Sequence, residues 1–167
     1  QGVIGYTPFK VGLLMVPMAI CAIVLGPISG RLSDRYGWRI FTVGGLAIST
    51  IGIFLLAAIT ENSSLGFVVA GMVLQSGGQS IFFSPNNSSV FSSAANTRYG
   101  VVSALVGVTR NSGNVISIAV SAGIVTVTMA SMGYASSLDV VGEAPEAFLS
   151  GMRRAFIFLG ALLLLGM

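Results

Sequence analysis

Long apolar stretches separated by short polar connections run through most of the chain. A stretch of ~20 helical residues is enough to cross a hydrocarbon core of ~30 Å. Stretches of this length cover roughly residues 11–29, 40–59, 65–94 and 101–129, and a fifth begins at about Ala155 and is cut short. Apolar residues do not alternate with a period of two, so the pattern predicts helices and not barrel strands. The third helix is expected to run through Pro85, which can kink a long helix that its neighbours support.

The composition agrees with a membrane protein. Hydrophobic residues make up 54% of the chain and charged residues 8%, and the mean hydropathy is +0.92. The net charge of +3 comes from scattered residues, which disfavours nucleic acid as a partner. Histidine is absent and Cys21 is the single cysteine, so we expect no metal site, disulfide framework or cofactor. We predict an all-α, multi-pass integral protein of the cell membrane.

Basic residues in the connections predict the orientation, because Lys and Arg near short loops stay on the cytoplasmic side. Residues 30–39 and Arg98 would then lie inside, whereas residues 61–64 and the long connection after residue 129 would lie outside. The long connection carries Asp139, Glu143 and Glu146 but also Arg153 and Arg154. The bias toward the inside is therefore only four basic residues against three once Lys10 is counted outside.

The connection between the first two helices has the most informative sequence. Residues 30–39 read GRLSDRYGWR, with two glycines framing a cationic segment. Gly30 and Gly37 allow a tight reversal and close approach of the backbone, and Asp34 can face the positive end of a helix. A basic tether that only fixes the topology is an equally good explanation from physics alone.

The same segment resembles the signature of the major facilitator superfamily, G-x-L-x-D-R-x-G-R-R/K. It is matched by Gly30, Leu32, Asp34, Arg35, Gly37 and Arg39, whereas Trp38 stands where a basic residue is usual. The resemblance implies that these residues form a signature loop that acts as a conformational switch. Residues 2–17, 110–113 and 148–156 are similar to the fourteen-helix drug:proton antiporter branch. Residues 1–167 would then be a partial transport domain, the C-terminal helical bundle, with the first half of the protein missing.

Polar residues inside the predicted helices are candidates for a cavity or gate. On the fourth helix a stripe at steps of four and three places its members on one face: Ser103, Gly107, Arg110, Asn114, Ser117 and Ser121. A charged residue in a span is costly and usually faces protein or water, so Arg110 is a candidate, although it could also snorkel to the interface.

The third helix carries Gln75 and Gln79 one turn apart, and these amides could bind a ligand or a neighbouring helix. Small residues let helices approach closely, and such packing is the more natural explanation for a set of glycines in the first three helices: Gly26, Gly30, Gly44, Gly45, Gly77 and Gly78.

Together these features predict a secondary transporter that works by alternating access. The resemblance implies proton-coupled efflux of amphipathic drugs or small molecules, with the bilayer and the missing N-terminal half as the other partners. An enzyme is disfavoured, because no phosphate loop, metal cluster or paired carboxylates occur in the spans. An uptake or metabolite transporter of the same superfamily and a non-transporting scaffold stay open as alternatives.

Overall fold

The computed structural model describes residues 8–60, 63–134 and 145–166. Almost all of these residues are helical, and the main helices are α1 (Pro8–Tyr36), α2 (Trp38–Ala57), α3 (Leu65–Ser92), α4 (Tyr99–Ser131) and α5 (Pro145–Leu165). Each of the five is long and apolar enough to cross a membrane. The predicted all-α, multi-pass membrane fold is therefore confirmed. The predictions for Glu61, Asn62, Asp139 and Glu143 lie outside the described residues.

The predicted start of the fifth helix, near Ala155, was wrong by ten residues. The helix α5 begins at Pro145, not near Ala155, and Arg153 and Arg154 are helical. A proline is well suited to the first helical position because its missing N–H would have no partner there, and Glu146 in the first turn favours the positive helix end. Pro145 and Glu146 favour a helix start more strongly than the charges of Arg153 and Arg154 favour a connection.

The signature segment is mostly helical and does not form an extended loop. The helix α1 continues to Tyr36 and α2 begins at Trp38, so only Gly37 separates them. Gly37 has a φ of 92°, in the left-handed region that a residue without a Cβ adopts readily. The buried hydroxyls of Ser29 and Ser33 donate to carbonyl oxygens one turn earlier, which satisfies them within α1.

Helices α2 and α3 are in direct backbone contact. A Cβ on Gly45 would lie 2.7 Å from the carbonyl oxygen of Gly78 and 2.7 Å from the amide nitrogen of Phe82. A Cβ on Gly52 would likewise collide with the backbone of Gln75. The close packing predicted for the glycines therefore holds for Gly45 and Gly78. It does not hold for Gly26 and Gly44, whose added Cβ atoms would meet nothing within 4 Å.

Helix α4 packs on α5 through its C-terminal half and has few contacts with α3. Val125 and Met129 of α4 form a buried cluster with Ala147 and Ala155 of α5. Helix α5 also lies against α2, where a Cβ on Gly160 would be 3.0 Å from the ring of Phe54. The N-terminal half of α4 consequently stands apart from α3 and leaves a cleft between them.

Candidate functional site

The cleft between α3 and the N-terminal half of α4 has a volume of about 430 Å³. We call it the Arg110 cleft, and its polar lining comes from both helices: Asn86 and Asn87 of α3, and Thr109, Arg110 and Asn114 of α4. Arg110 and Asn114 are four positions apart and therefore share one face of α4, and Thr109 lines the cleft from the edge of that face.

Arg110 lies over an aromatic ring of α3. Its guanidinium carbon is 4.7 Å from the centroid of the Phe83 ring, within the range of a cation–π interaction. The side chain of Arg110 is exposed in the described part of the chain. The guanidinium can thus rest one face on Phe83 while its N–H groups are available to an acceptor in the cleft.

The chemistry of the cleft is cationic and rich in amides. Asn86, Asn87 and Asn114 each offer donors and an acceptor, and Arg110 offers donors only. No acidic residue is present among the described residues that line it. Within the ranges that the structure describes, no group of three or more His, Cys, Asp or Glu residues is placed to hold a metal ion. The arrangement is suited to binding and to electrostatic gating.

Gln75 and Gln79 line a second opening, nearer the N-terminal end of α3. This opening, which we call the α2–α5 groove, has a volume of about 320 Å³ and lies between α2, α3 and α5. Phe83 lines both openings. The candidates that the sequence grouped as one cavity or gate are therefore divided between two places.

The polar stripe of α4 is divided as well. Arg110 and Asn114 line the Arg110 cleft, and Ser121 lines an opening beside α5. Ser117 lines neither described opening next to α3, and its hydroxyl donates to the carbonyl oxygen of Asn114 at 3.3 Å. One helical face meets two neighbours because α4 stands apart from α3 at one end and packs on α5 at the other.

The charged signature residues lie at the junction of α1 and α2, away from both openings. The side chains of Leu32, Asp34, Arg35 and Arg39 are exposed. The guanidinium carbon of Arg35 is 5.7 Å from the Tyr36 ring centroid, and that of Arg39 is 5.4 Å from the Trp38 ring centroid. Arginine and amphipathic aromatic side chains together are typical of a membrane–water interface.

Gly30 has a separate role in packing. A Cβ there would lie 2.6 Å from the hydroxyl oxygen of Ser84, so this signature glycine marks a close approach of α1 to α3.

Sequence reasoning missed Phe83 and the placement of Arg153. Nothing in an apolar helix distinguishes Phe83 from a core residue before its neighbours are known. Arg153 donates from Nε to the carbonyl oxygen of Ala57 at 3.1 Å and so caps the C-terminal end of α2. The start signals at Pro145 and Glu146 would have placed Arg153 on a helix in advance.

Comparison with known proteins supplies the family. The sequence profile of the Major Facilitator Superfamily matches residues 1–167. Among the curated relatives, the multidrug resistance protein Stp of Mycobacterium tuberculosis is 28% identical over 120 residues, which cover 72% of this chain and 22% of Stp. The methyl viologen resistance protein SmvA of Salmonella typhimurium is 27% identical over 180 residues, covering 95% of this chain and 36% of SmvA.

A third relative, the riboflavin transporter RibZ of Clostridioides difficile, is 26% identical over 105 residues, covering 63% of this chain and 23% of RibZ. The chain thus spans between about a fifth and a little over a third of these relatives. No solved structure gives a significant match. The profile match over the whole length, with five spanning helices and the signature segment at the α1–α2 junction, shows that this chain belongs to the Major Facilitator Superfamily.

Proposed function

We propose that the protein is a secondary active transporter that exports amphipathic small molecules by alternating access, coupled to protons. The observation that carries this proposal is the Arg110 cleft. A charge on a membrane-spanning helix is costly unless it faces protein or water, and here it faces an open, amide-lined cleft.

The contacts of Arg110 support a transport pathway over a merely interfacial position. Arg110 follows Tyr99, the first residue of α4, by eleven positions, which corresponds to ~17 Å along the helix. A side chain that only snorkels would extend toward the headgroups, whereas the guanidinium of Arg110 lies over Phe83 in the cleft between α3 and α4. The guanidinium would therefore close a gate or pair with an acidic group elsewhere in the transporter as the pathway opens and closes.

Efflux of amphipathic compounds is supported by the names of two relatives, a multidrug resistance protein and a methyl viologen resistance protein. Proton coupling needs a carrier, and the acidic residues that the structure describes, Asp34 and Glu146, lie near helix ends. The carboxylate that carries the proton would therefore belong to a part of the transporter other than the described spans. We expect no enzymatic activity.

The decisive experiment is transport by the full-length protein in proteoliposomes. An imposed pH gradient should drive movement of ethidium, with proton counterflow recorded by an internal pH-sensitive dye. Arg110→Ala should abolish the flux, and Arg110→Lys should keep part of it, because lysine retains the charge but not the planar fork.

Arg154→Ala is the matched control, since Arg154 is exposed on α5 and lines neither opening. Ethidium flux by Arg110→Ala equal to that of the wild type would remove Arg110 from the pathway. Riboflavin offered in the same assay tests the alternative of a metabolite transporter, which the relative RibZ suggests.

We further propose that Asp34 biases the conformational equilibrium. Its carboxylate lies four positions before the first residue of α2, whose free N–H groups carry partial positive charge. Asp34→Asn should lower ethidium flux several-fold while insertion and thermal stability stay close to wild type. An unchanged flux would leave the segment as a topological tether.

A further inference from the structure

The α2–α5 groove is chemically unlike the Arg110 cleft. Its polar groups are the side-chain amides of Gln75 and Gln79 and the hydroxyl of Ser49, and no charged residue is present among the described residues that line it. The walls on the α5 side are the apolar residues Leu159 and Leu162. The groove therefore combines uncharged hydrogen-bonding groups with an apolar surface.

The two amides lie near the middle of α3. Gln75 and Gln79 follow Leu65, the first residue of the helix, by ten and fourteen positions, which places them ~15 Å and ~21 Å along it. Both therefore lie well inside a helix that is long and apolar enough to span a ~30 Å hydrocarbon core. Water is scarce there, so an amide without a partner is costly.

Neighbouring polar groups on α3 are satisfied within the protein, in contrast to these amides. The hydroxyl of Ser76 donates to the carbonyl oxygen of Met18, and that of Ser80 donates to the carbonyl oxygen of Ser76. Among the described residues, no hydrogen bond involves the side chain of Gln75 or Gln79. Gln79 is exposed, and Gln75 is half-buried because the glycine face of α2 packs on its backbone. Both amides are free to bind a ligand in the groove.

We propose that the α2–α5 groove is a binding site for an uncharged amphiphile that enters from the bilayer. A carbonyl, amide or hydroxyl of the ligand would hydrogen-bond to Gln75 and Gln79, and its apolar part would lie along Leu159 and Leu162. A cation would gain no counter-charge in the groove and would lose its hydration, which excludes charged ligands. A volume of about 320 Å³ is within the range of small-molecule sites.

The site is testable by photolabelling, without a transport assay. The probe is an uncharged benzophenone carboxamide bearing an octyl chain, applied to the full-length protein in nanodiscs, with labelled peptides located by mass spectrometry. We expect saturable labelling of peptides that contain Leu159 or Phe82. The same compound with a terminal trimethylammonium group should not label them saturably.

Substitutions distinguish the contribution of the amide hydrogen bonds to probe binding from that of the shape of the groove. The double variant Gln75→Leu/Gln79→Leu should raise the half-saturating probe concentration by about threefold to tenfold or more, the equivalent of losing one or two neutral hydrogen bonds. Leu162→Trp keeps both amides but fills the groove and should abolish labelling. Ser88→Leu, the same kind of change at an exposed position of α3, should leave labelling unchanged.

The source of the ligand follows from lipid analysis of the purified protein. A neutral lipid retained by the wild type and lost from the double variant would identify a bilayer lipid, whereas labelling with no retained lipid would identify an added amphiphile. Unaltered labelling in both the double variant and Leu162→Trp, or equal labelling by the cationic compound, would overturn the site. Because binding is measured without a gradient, a negative flux assay would leave this result standing.

Discussion

The two sides of α3 differ in how they meet their neighbours. Toward α2, glycines bring the backbones into contact, so that a Cβ on Gly78 would collide with the backbone of Ser49. Toward α4, the helices are separated by a cleft of about 430 Å³ lined by Asn86, Asn87 and Arg110. Asn86, Asn87 and Arg110 line the open cleft, whereas the small residues lie where the packing is closest.

The physical reason is the low polarity of the environment. Between helices in a bilayer, close van der Waals packing is a principal source of attraction, and it favours residues without large side chains. A charge or an amide is stable only where it finds water or a partner. We therefore propose that α2 and α3 form one fixed unit and that the α3–α4 side is the part that changes during transport.

The largest expected effect comes from disrupting the close contact between α2 and α3 at Gly45. Gly45→Leu places a side chain against the carbonyl oxygen of Gly78 and the amide nitrogen of Phe82, both 2.7 Å from its Cβ. The helices must separate, and the free energy of unfolding should fall by about 3 kcal/mol or more. Unfolding in mixed micelles titrated with sodium dodecyl sulfate measures this change.

The adjacent residue provides the control. A Cβ on Gly44 would meet nothing within 4 Å, so Gly44→Leu should lower stability much less than Gly45→Leu. Equal losses in the two variants would mean that the helices can adjust freely and that α2 and α3 are not a fixed unit.

A smaller effect is expected where α5 joins the same unit. Arg153 donates to the carbonyl oxygen of Ala57, one of the last carbonyl groups of α2, which have no partner within the helix. Arg153→Gln removes the charge at the negative end of that helix and should lower the free energy of unfolding by about 1 kcal/mol.

Arg154→Gln alters the next residue and should change stability little, because Arg154 makes no hydrogen bond to α2 among the described residues, whereas Arg153 does. Thermal unfolding of the two variants side by side tests the cap. A larger destabilisation in Arg154→Gln than in Arg153→Gln would contradict it.

The fold could be predicted from the sequence because long apolar stretches recur along the chain. Spans of ~20 apolar residues are read directly from the chain, and the first four helices were predicted within a few residues of most of their ends. The errors arose where a polar residue lies inside a helix. Arg31, Arg35 and Arg153 were assigned to connections although each lies in a helix that extends beyond its apolar core.

The spatial grouping of the candidate residues could not be predicted from the sequence, for a geometric reason. The spacing of Gln75 and Gln79, or of Arg110 and Asn114, fixes which residues share a helical face. It does not fix the neighbour that the face meets, which depends on how α3 and α4 cross. The residues that the sequence suggests for a cavity or gate are divided between openings, and Phe83, which lines both the Arg110 cleft and the α2–α5 groove, had no signal in the sequence.

The smallest expected effect concerns Phe83, the residue that lines both openings. Its ring lies 4.7 Å from the guanidinium carbon of Arg110 and provides a cation–π contact worth about 0.5–1 kcal/mol at an exposed site. Phe83→Leu keeps an apolar side chain but loses the aromatic face, so ethidium flux should fall by about twofold to fivefold. Phe83→Tyr retains the ring and should keep most of the flux. A loss in Phe83→Tyr as large as in Phe83→Leu would show that the shape of the side chain matters and the ring face does not. Unchanged flux in both would mean that Arg110 acts without support from α3, and that the role of the Arg110 cleft in flux depends on α4 alone.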